Sequence, residues 1–434
     1  MNRTEAEDFI YKSYLKAEKH QDYKAQDSEK RRPDLTREII RKKSVTPSVV
    51  VTGSKGKGSV SNMISRIMQT SCRVGLMTSP HLISFCERFK INDDNISDED
   101  FAKYVSIIRP EIDKIDEEIP NNVCISPMGI QTDLALTYFN DQRTDFNIFE
   151  CGKGAKYDDV NNALHDYAVI NSIFLEHTRE LGSTLEAIAA DKSHVITGEQ
   201  KCVFVAEQDP SVMSVIANRA QEYDTILKIY GRDFLADRVR FSNSGMVFDV
   251  IVGDKKIEDI TIPLLGVHQA KNCALALALA LEVLGDVDEY AVKEKLLNIN
   301  WPGRMEVLSG SPFIMLDACI NKASCGNVKE VMNHLGIDMA TVIIGIPDDK
   351  DYQGVVKEMS SVAETIILTK SQNPHYIFTS EQCEKMESEG IHTVWTESIE
   401  DALRKAKQTG ISIVILGTTS VVSEVKELQI SNNL

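Results

Sequence analysis

Along most of this chain, short β-branched and apolar runs alternate with segments whose apolar positions recur every three or four residues. Residues 49–52, 146–150, 169–173 and 202–205 are such runs, each short and bounded by turn formers, and they predict buried strands. After the first of them, Val60, Met63, Ile64, Ile67 and Met68 fall at i, i+3, i+4, i+7 and i+8, the buried face of a helix. Strands that alternate with helices in this way predict a parallel sheet with crossover helices. Residues 1–47 are charged and helix-prone, run through the basic stretch 29–32 and end at the turn former Pro47. Their charge reads as a solvated helical face.

The texture changes between about 225 and 265. Tyr230, Phe241, residues 246–252 and residues 257–262 alternate with charges and Gly/Asn turns, as a small antiparallel patch does. An Ala/Leu-rich helix follows over 266–284, and Trp301-Pro302-Gly303 reads as a linker. Beyond it the strand and helix alternation restarts, with strands expected at 313–316, 341–345, 365–369 and 412–417. The predicted fold class is α/β: a P-loop parallel-sheet domain over 1–299 with the antiparallel patch, then a smaller Rossmann-like α/β domain over 300–434.

The junction of the first strand and helix is chemically distinctive. Val49-Val50-Val51-Thr52 breaks into Gly53-Ser54-Lys55-Gly56-Lys57-Gly58-Ser59 just where the helical period begins. Unpaired backbone N–H groups and the positive end of the macrodipole make such a helix start an anion site. Glycines allow close approach, and Lys57 adds a point charge. The common phosphate-loop pattern is G-x-x-x-x-G-K-[ST]; here Val51 stands at its first glycine, and Gly58 separates Lys57 from Ser59. A plain glycine-rich turn has the same composition, so the strand and helix on either side carry the reading of a nucleotide triphosphate site.

Composition narrows the class. At 434 residues the chain exceeds one ordinary core, and 42% hydrophobic residues describe a globular protein. No apolar run approaches ~18 residues, and the polar start Met1-Asn2-Arg3-Thr4 lacks a signal-peptide core. A cytoplasmic protein with no membrane partner is expected. Nine scattered cysteines without a C-x-x-C pair read as reduced, mostly buried thiols. A formal charge of −17 argues against nucleic acid as a partner.

Strands of a parallel sheet deliver functional groups at their carboxyl ends. The second run ends in Glu150, and the third runs on to Leu175-Glu176-His177-Thr178. A carboxylate and an imidazole beside a phosphate loop suit a divalent cation that bridges phosphates; singly, each reads equally well as a capping acid and a core histidine. Lys192 faces the same way as Leu185, Ile188 and Ala189, which allows either a snorkelling lysine or a half-buried, chemically modified one.

Taken in order, these segments resemble the folylpolyglutamate synthase branch of the Mur ligase superfamily. The resemblance is carried by residues 52–59, Gly75 to Leu82 with Phe85-Cys86-Glu87-Arg88, Glu150 to Asn161, Glu176-His177-Thr178, Asp191-Lys192, Leu264 to Gln269 with Asn272, Trp301 to Glu306, and Leu416 to Ser420. It implies an ATP-dependent, ADP-forming ligase that joins an amino acid, glutamate in that branch, to a carboxylate through an acyl phosphate. It also implies that Gly53, Gly56, Lys57, Gly58 and Ser59 bind phosphates, and that Asn272, Arg304 and Asp317 reach the nucleotide. Ser79, Glu150 and His177 would bind magnesium, and Lys192, as a carbamate, would be a further metal ligand able to hold a second divalent ion. Lys57, Lys192, His177 and Arg304 would act in catalysis. Partners would be small carboxylate and amino-acid substrates.

Three departures fall on the acceptor side. The branch reads Asp-Gly-Ala-His-Asn-Pro where this chain reads Asp317-Ala318-Cys319-Ile320-Asn321-Lys322, so Ile320 replaces a histidine. Its Gly-Leu-Gly-Gly-Arg-Leu-Asp is here Gly152-Lys153-Gly154-Ala155-Lys156-Tyr157-Asp158, which exchanges a guanidinium for ammonium groups. Ser54-Lys55 stands where the branch has Thr-Asn. Three readings stand: a folate γ-glutamyl ligase that tolerates these exchanges, a ligase that joins an amino acid to a non-folate acid, and a nucleotide-binding regulator without catalysis.

Overall fold

The structure is a computed structural model that describes residues 1–19 and 31–431. Glu29 and Lys30 of the basic stretch lie outside the described residues. Helices Arg3–Glu18 and Asp34–Lys43 occupy the first segment, as its composition predicts. The chain divides into two compact units.

The first unit is built on an eight-stranded sheet of order β4-β3-β2-β5-β1-β6-β7-β8. Its strands are β1 (Ser48–Thr52), β2 (Val74–Met77), β3 (Phe89–Ile91), β4 (Asp94–Asn95), β5 (Phe146–Glu150), β6 (Tyr167–Ile170), β7 (Cys202–Val205) and β8 (Leu227–Ile229). From β2 to β8 all neighbours are parallel, while β3 and β4 add an antiparallel edge. Every residue of β1, β5, β6 and β7 is buried. That is why these strands read as largely apolar runs and not as alternating ones: both faces of a parallel sheet are covered.

Three further strands, β9 (Phe234–Ser242), β10 (Gly245–Val252) and β11 (Lys255–Ile262), form a separate sheet of order β11-β10-β9. Met246, Phe248 and Val250 of β10 and Ile257, Ile260 and Ile262 of β11 are buried while β11 exposes most of its charged residues, as in a sheet with one covered face. The Ala/Leu-rich stretch forms the helix Val267–Leu284.

The second unit carries a six-stranded sheet of order β12-β13-β17-β14-β15-β16, from β12 (Glu306–Gly310), β13 (Phe313–Asp317), β14 (Ala340–Gly345), β15 (Ala363–Thr369), β16 (Val394–Thr396) and β17 (Ile413–Gly417). Only β12 runs antiparallel to its neighbour; the others are parallel. Its core is aliphatic and thioether-rich, with Met315, Val342, Ile344, Leu368, Val414 and Leu416 all buried. Among the described residues no helix is long and apolar enough to cross a membrane.

One sequence expectation changes here. The strand expected over 169–173 runs instead over Tyr167–Ile170, and residues 171–174 leave the ladder. Ser172 O and the backbone of Phe174 bond instead to Ser54 of the phosphate loop, while Ile173 N donates to Gln208 Oε1.

Candidate active site at the phosphate loop

Strand β1 ends between β5 and β6. The pairing register sets Val51 opposite Glu150 and Thr52 opposite Ile170. It continues past the strands, where Cys151 N donates to Val51 O at 2.9 Å and Asn171 N to Thr52 O at 2.8 Å. The loops that begin at Gly53, Cys151 and Asn171 therefore leave the sheet side by side, at the edge where parallel sheets bind ligands.

Conformation and space both demand the loop's first two glycines. Gly53 and Gly56 have φ of +143° and +77°, a region L side chains avoid. A Cβ at Gly53 would fall 2.8 Å from Asn171 Cβ, and one at Gly56 would fall 2.5 Å from Asn171 Nδ2. Gly56 is the N-cap of the helix Lys57–Met68, and no side chain caps that helix. Its first N–H groups are thus donors for an anion. Ser59 is 2% exposed, and its hydroxyl has no hydrogen-bond partner. Such a group costs about 1–3 kcal/mol, and a phosphate oxygen against the loop would satisfy it.

Two ammonium groups meet on one carbonyl. Gly53 O accepts from Lys57 Nζ at 3.0 Å and from Lys192 Nζ at 2.9 Å. The sequence reading placed Lys192 half-buried; in the helix Leu185–Lys192 it is 0% exposed. Its second partner is Glu176 Oε1 at 2.9 Å. Burial lowers the Lys192 pKa and the Lys57 charge lowers it further, outweighing the pull of Glu176 in the other direction. Burial pushes the Glu176 carboxyl up, but Lys192 and Lys57 together hold it below its ordinary value. The result is a buried, charge-dense cluster tied to the loop backbone.

Beside it, Ser79 N donates to Glu150 Oε2 at 3.1 Å, and Glu150 is buried. His177 takes a left-handed backbone (φ +44°) as it starts a short helix, and its Nδ1 lies 3.9 Å from Glu180 Oε2. Lys153 pairs with the same Glu180 at 3.5 Å. Asp191 Oδ1 accepts from Ala155 N at 2.8 Å and fixes the loop that follows Glu150. Among the described residues no three His, Cys, Asp or Glu side chains are grouped to hold a metal by themselves.

The structure thus gathers Gly53, Gly56, Lys57, Ser59, Lys192 and Asn272 around one loop, and joins Ser79 to Glu150. Gly58, the remaining loop residue, lies in the first turn of the Lys57–Met68 helix. Arg304 and Asp317 belong to the second unit. There Asp317, buried at the end of β13, accepts from Met305 N at 3.0 Å, and Arg304 Nη1 donates to Gly303 O at 3.0 Å. In the segment that departs from the branch, Ile320 packs on the apolar core, and Cys319 and Cys325 are fully buried with sulfurs 3.7 Å apart.

Sequence reasoning missed Asn171 and left Ser54 without a role. Ser54 Oγ donates to Phe174 O and accepts from Phe174 N, both at 3.1 Å, while Ser54 N donates to Ser172 O at 2.9 Å. The available signal was a buried asparagine directly after an apolar strand, at a sheet edge already lined with functional groups.

Residues 51–280 match the Mur ligase middle domain. The chain belongs to the Mur ligase family. The dihydrofolate synthase/folylpolyglutamate synthase of Bacillus subtilis is 27% identical to this Mur ligase over 87% of the chain and 89% of its own length. The folylpolyglutamate synthase of Lacticaseibacillus casei is 26% identical over 87% and 88%. Among solved structures, the Mycobacterium tuberculosis folylpolyglutamate synthase complexed with ADP and AMPPCP matches with a TM-score of 0.85 at 25% identity, covering 92% of this chain and 96% of that one. The Mur ligase described here lies in the folylpolyglutamate synthase branch.

Proposed function

We propose that this Mur ligase is an ATP-dependent, ADP-forming acid–amino acid ligase of the folylpolyglutamate synthase type, which joins glutamate to a carboxylate substrate. The observation that carries the reading is the phosphate loop itself: two left-handed glycines walled by Asn171, an uncapped helix start, a buried unpaired Ser59 hydroxyl, and two ammonium groups on Gly53 O. Likeness over nearly the whole chain to relatives named as folylpolyglutamate synthases supports it. We assign residues 1–299 to ATP binding and residues 300–434 to the C-terminal ligase domain.

The chemistry follows from the donors. A carboxylate is a poor electrophile, and transfer of the γ-phosphoryl group turns its oxide into a leaving group that an amine displaces. Such a transfer asks for charge neutralisation and in-line positioning. The loop N–H groups, Lys57 and Ser59 hold the phosphates, Asn272 adds an amide, and Arg304 and Asp317 are assigned to the nucleotide on the family resemblance. Hard oxygens of Ser79 and Glu150, with His177, suit magnesium, which keeps several ligands from phosphate and water. Bound there, the ion would neutralise phosphate charge. Lys192 as an ammonium is a donor and cannot ligate. Its place in that set requires conversion to a carbamate, which its burial and the neighbouring Lys57 charge favour and its pairing with Glu176 opposes.

A non-folate acid is a second reading, favoured by Ile320 on the apolar core and by Lys153 and Lys156 in the loop after Glu150. One experiment covers both. The protein is incubated with ATP, magnesium, glutamate and either tetrahydrofolate or a panel of other carboxylic acids, with ADP and product mass measured. A glutamylated folate establishes the first reading, and product from another acid alone establishes the second. ATP turnover with no amide product in any mixture overturns both, and turnover undiminished in Lys57→Ala overturns the site assignment.

A further inference from the structure

We propose that Asn171 is a positioning residue for the nucleotide site, holding the Asn272 amide so that its Nδ2 faces the phosphate loop. Four observations converge. Asn171 is 3% exposed, and its Oδ1 accepts from Ser172 N at 2.9 Å. That bond commits the other end of the amide, and Asn171 Nδ2 donates to Asn272 Oδ1 at 3.1 Å. Both amides lie against Gly56, where a Cβ would fall 2.5 Å from Asn171 Nδ2 and 3.3 Å from each terminal atom of Asn272. Asn171 N is tied to Thr52 O at 2.8 Å, so its backbone is fastened to the end of the strand that launches the loop.

The chain of consequence is short. Ser172 N can only donate, so it selects the oxygen of Asn171. The Asn171 nitrogen then selects the oxygen of Asn272, which fixes Asn272 Nδ2, 3.3 Å from a Cβ at Gly56, as the donor end of that amide. A donor is what a phosphate anion needs, and a reversed amide would present an acceptor and repel it. One backbone N–H thus sets the polarity of a side chain two steps along the relay. This inference rests on the phosphate loop's binding a nucleotide, and it does not require the ligase chemistry.

Replacing the relay nitrogen with oxygen tests it. Asn171→Asp keeps the shape and keeps an acceptor for Ser172 N, but faces Asn272 with a carboxylate oxygen, which turns the Asn272 amide round. Asn171→Ala removes the preference without reversing it. The readouts are the ATP dissociation constant by calorimetry in the full-length protein, the thermal midpoint without nucleotide, and KM against kcat for ATP. Expected is at least a tenfold weaker ATP affinity for Asn171→Asp, the scale of one hydrogen bond to a charged group lost and an acceptor put in its place. Asn171→Ala should fall between it and wild type, and the added defect of Asn171→Asp should vanish in an Asn272→Ala background. If Asn171→Asp and Asn171→Ala weaken ATP equally, or the defect persists in Asn272→Ala, the polarity relay is wrong and Asn171 is only packing. If wild type binds ATP and these shifts appear while no acid and amine are joined, the ligase reading falls and the relay stands.

Discussion

The buried carboxyl of Asp159 makes a quantitative prediction. Asp159 is 1% exposed and accepts from Thr36 Oγ1 at 2.6 Å, fastening the helix Asp34–Lys43 to the segment after Glu150. Burial raises its pKa from the ordinary 3.8 to about 6, with the neighbouring Asp158 adding to the rise and the Thr36 and Ser126 hydroxyls opposing it. The folded state therefore holds a proton that the unfolded state releases. Stability is complete below the unfolded value and is lost as pH rises through the folded one. Linkage with those two values gives about 1.4 kcal/mol lost between pH 5 and pH 8, and about 3 kcal/mol across the whole window. The substitution Asp159→Asn removes the titrating group, keeps an oxygen for Thr36, and adds only a pH-independent penalty for the buried NH2 it introduces. The measurement is equilibrium unfolding of both proteins at pH 5 and pH 8, with hydrogen exchange of residues 34–43 as the local probe. Relative to wild type, Asp159→Asn should gain about 1.4 kcal/mol on going from pH 5 to pH 8. A difference that does not change with pH, or that falls, refutes the assignment of a neutral buried carboxyl.

Two further outcomes follow from the loop cluster. Glu176→Gln leaves the Lys192 ammonium buried against Gly53 O without its counter-charge, and should lower stability by about 3 kcal/mol; an unchanged thermal midpoint would show that the pair carries no weight. Ser54→Ala removes both side-chain bonds to Phe174, so about 1–3 kcal/mol of local stability should vanish. Amide exchange over residues 171–177 should rise, and unaltered protection there would refute the clasp.

Residue by residue, the chain revealed its site unevenly. Local pattern was enough for the strand, loop and helix at 48–68, because a buried parallel strand and an amphipathic helix each leave a period in the sequence and the glycines mark the turn between them. Ordered motifs were enough for the family, and Glu150 and His177 could be suspected because each closes an apolar run. Asn171 escaped because it continues a run of strand-like residues, and only its side-chain bonds show that it faces the loop. Lys192 was seen as a lysine on an apolar helical face, and no spacing could reveal that Glu176 and Gly53 O would meet it in the interior. The reason is physical: periodicity records which face of an element is buried, whereas the partner of a buried charge is chosen by strand order and register, which bring residues more than a hundred positions apart in the chain onto one carbonyl.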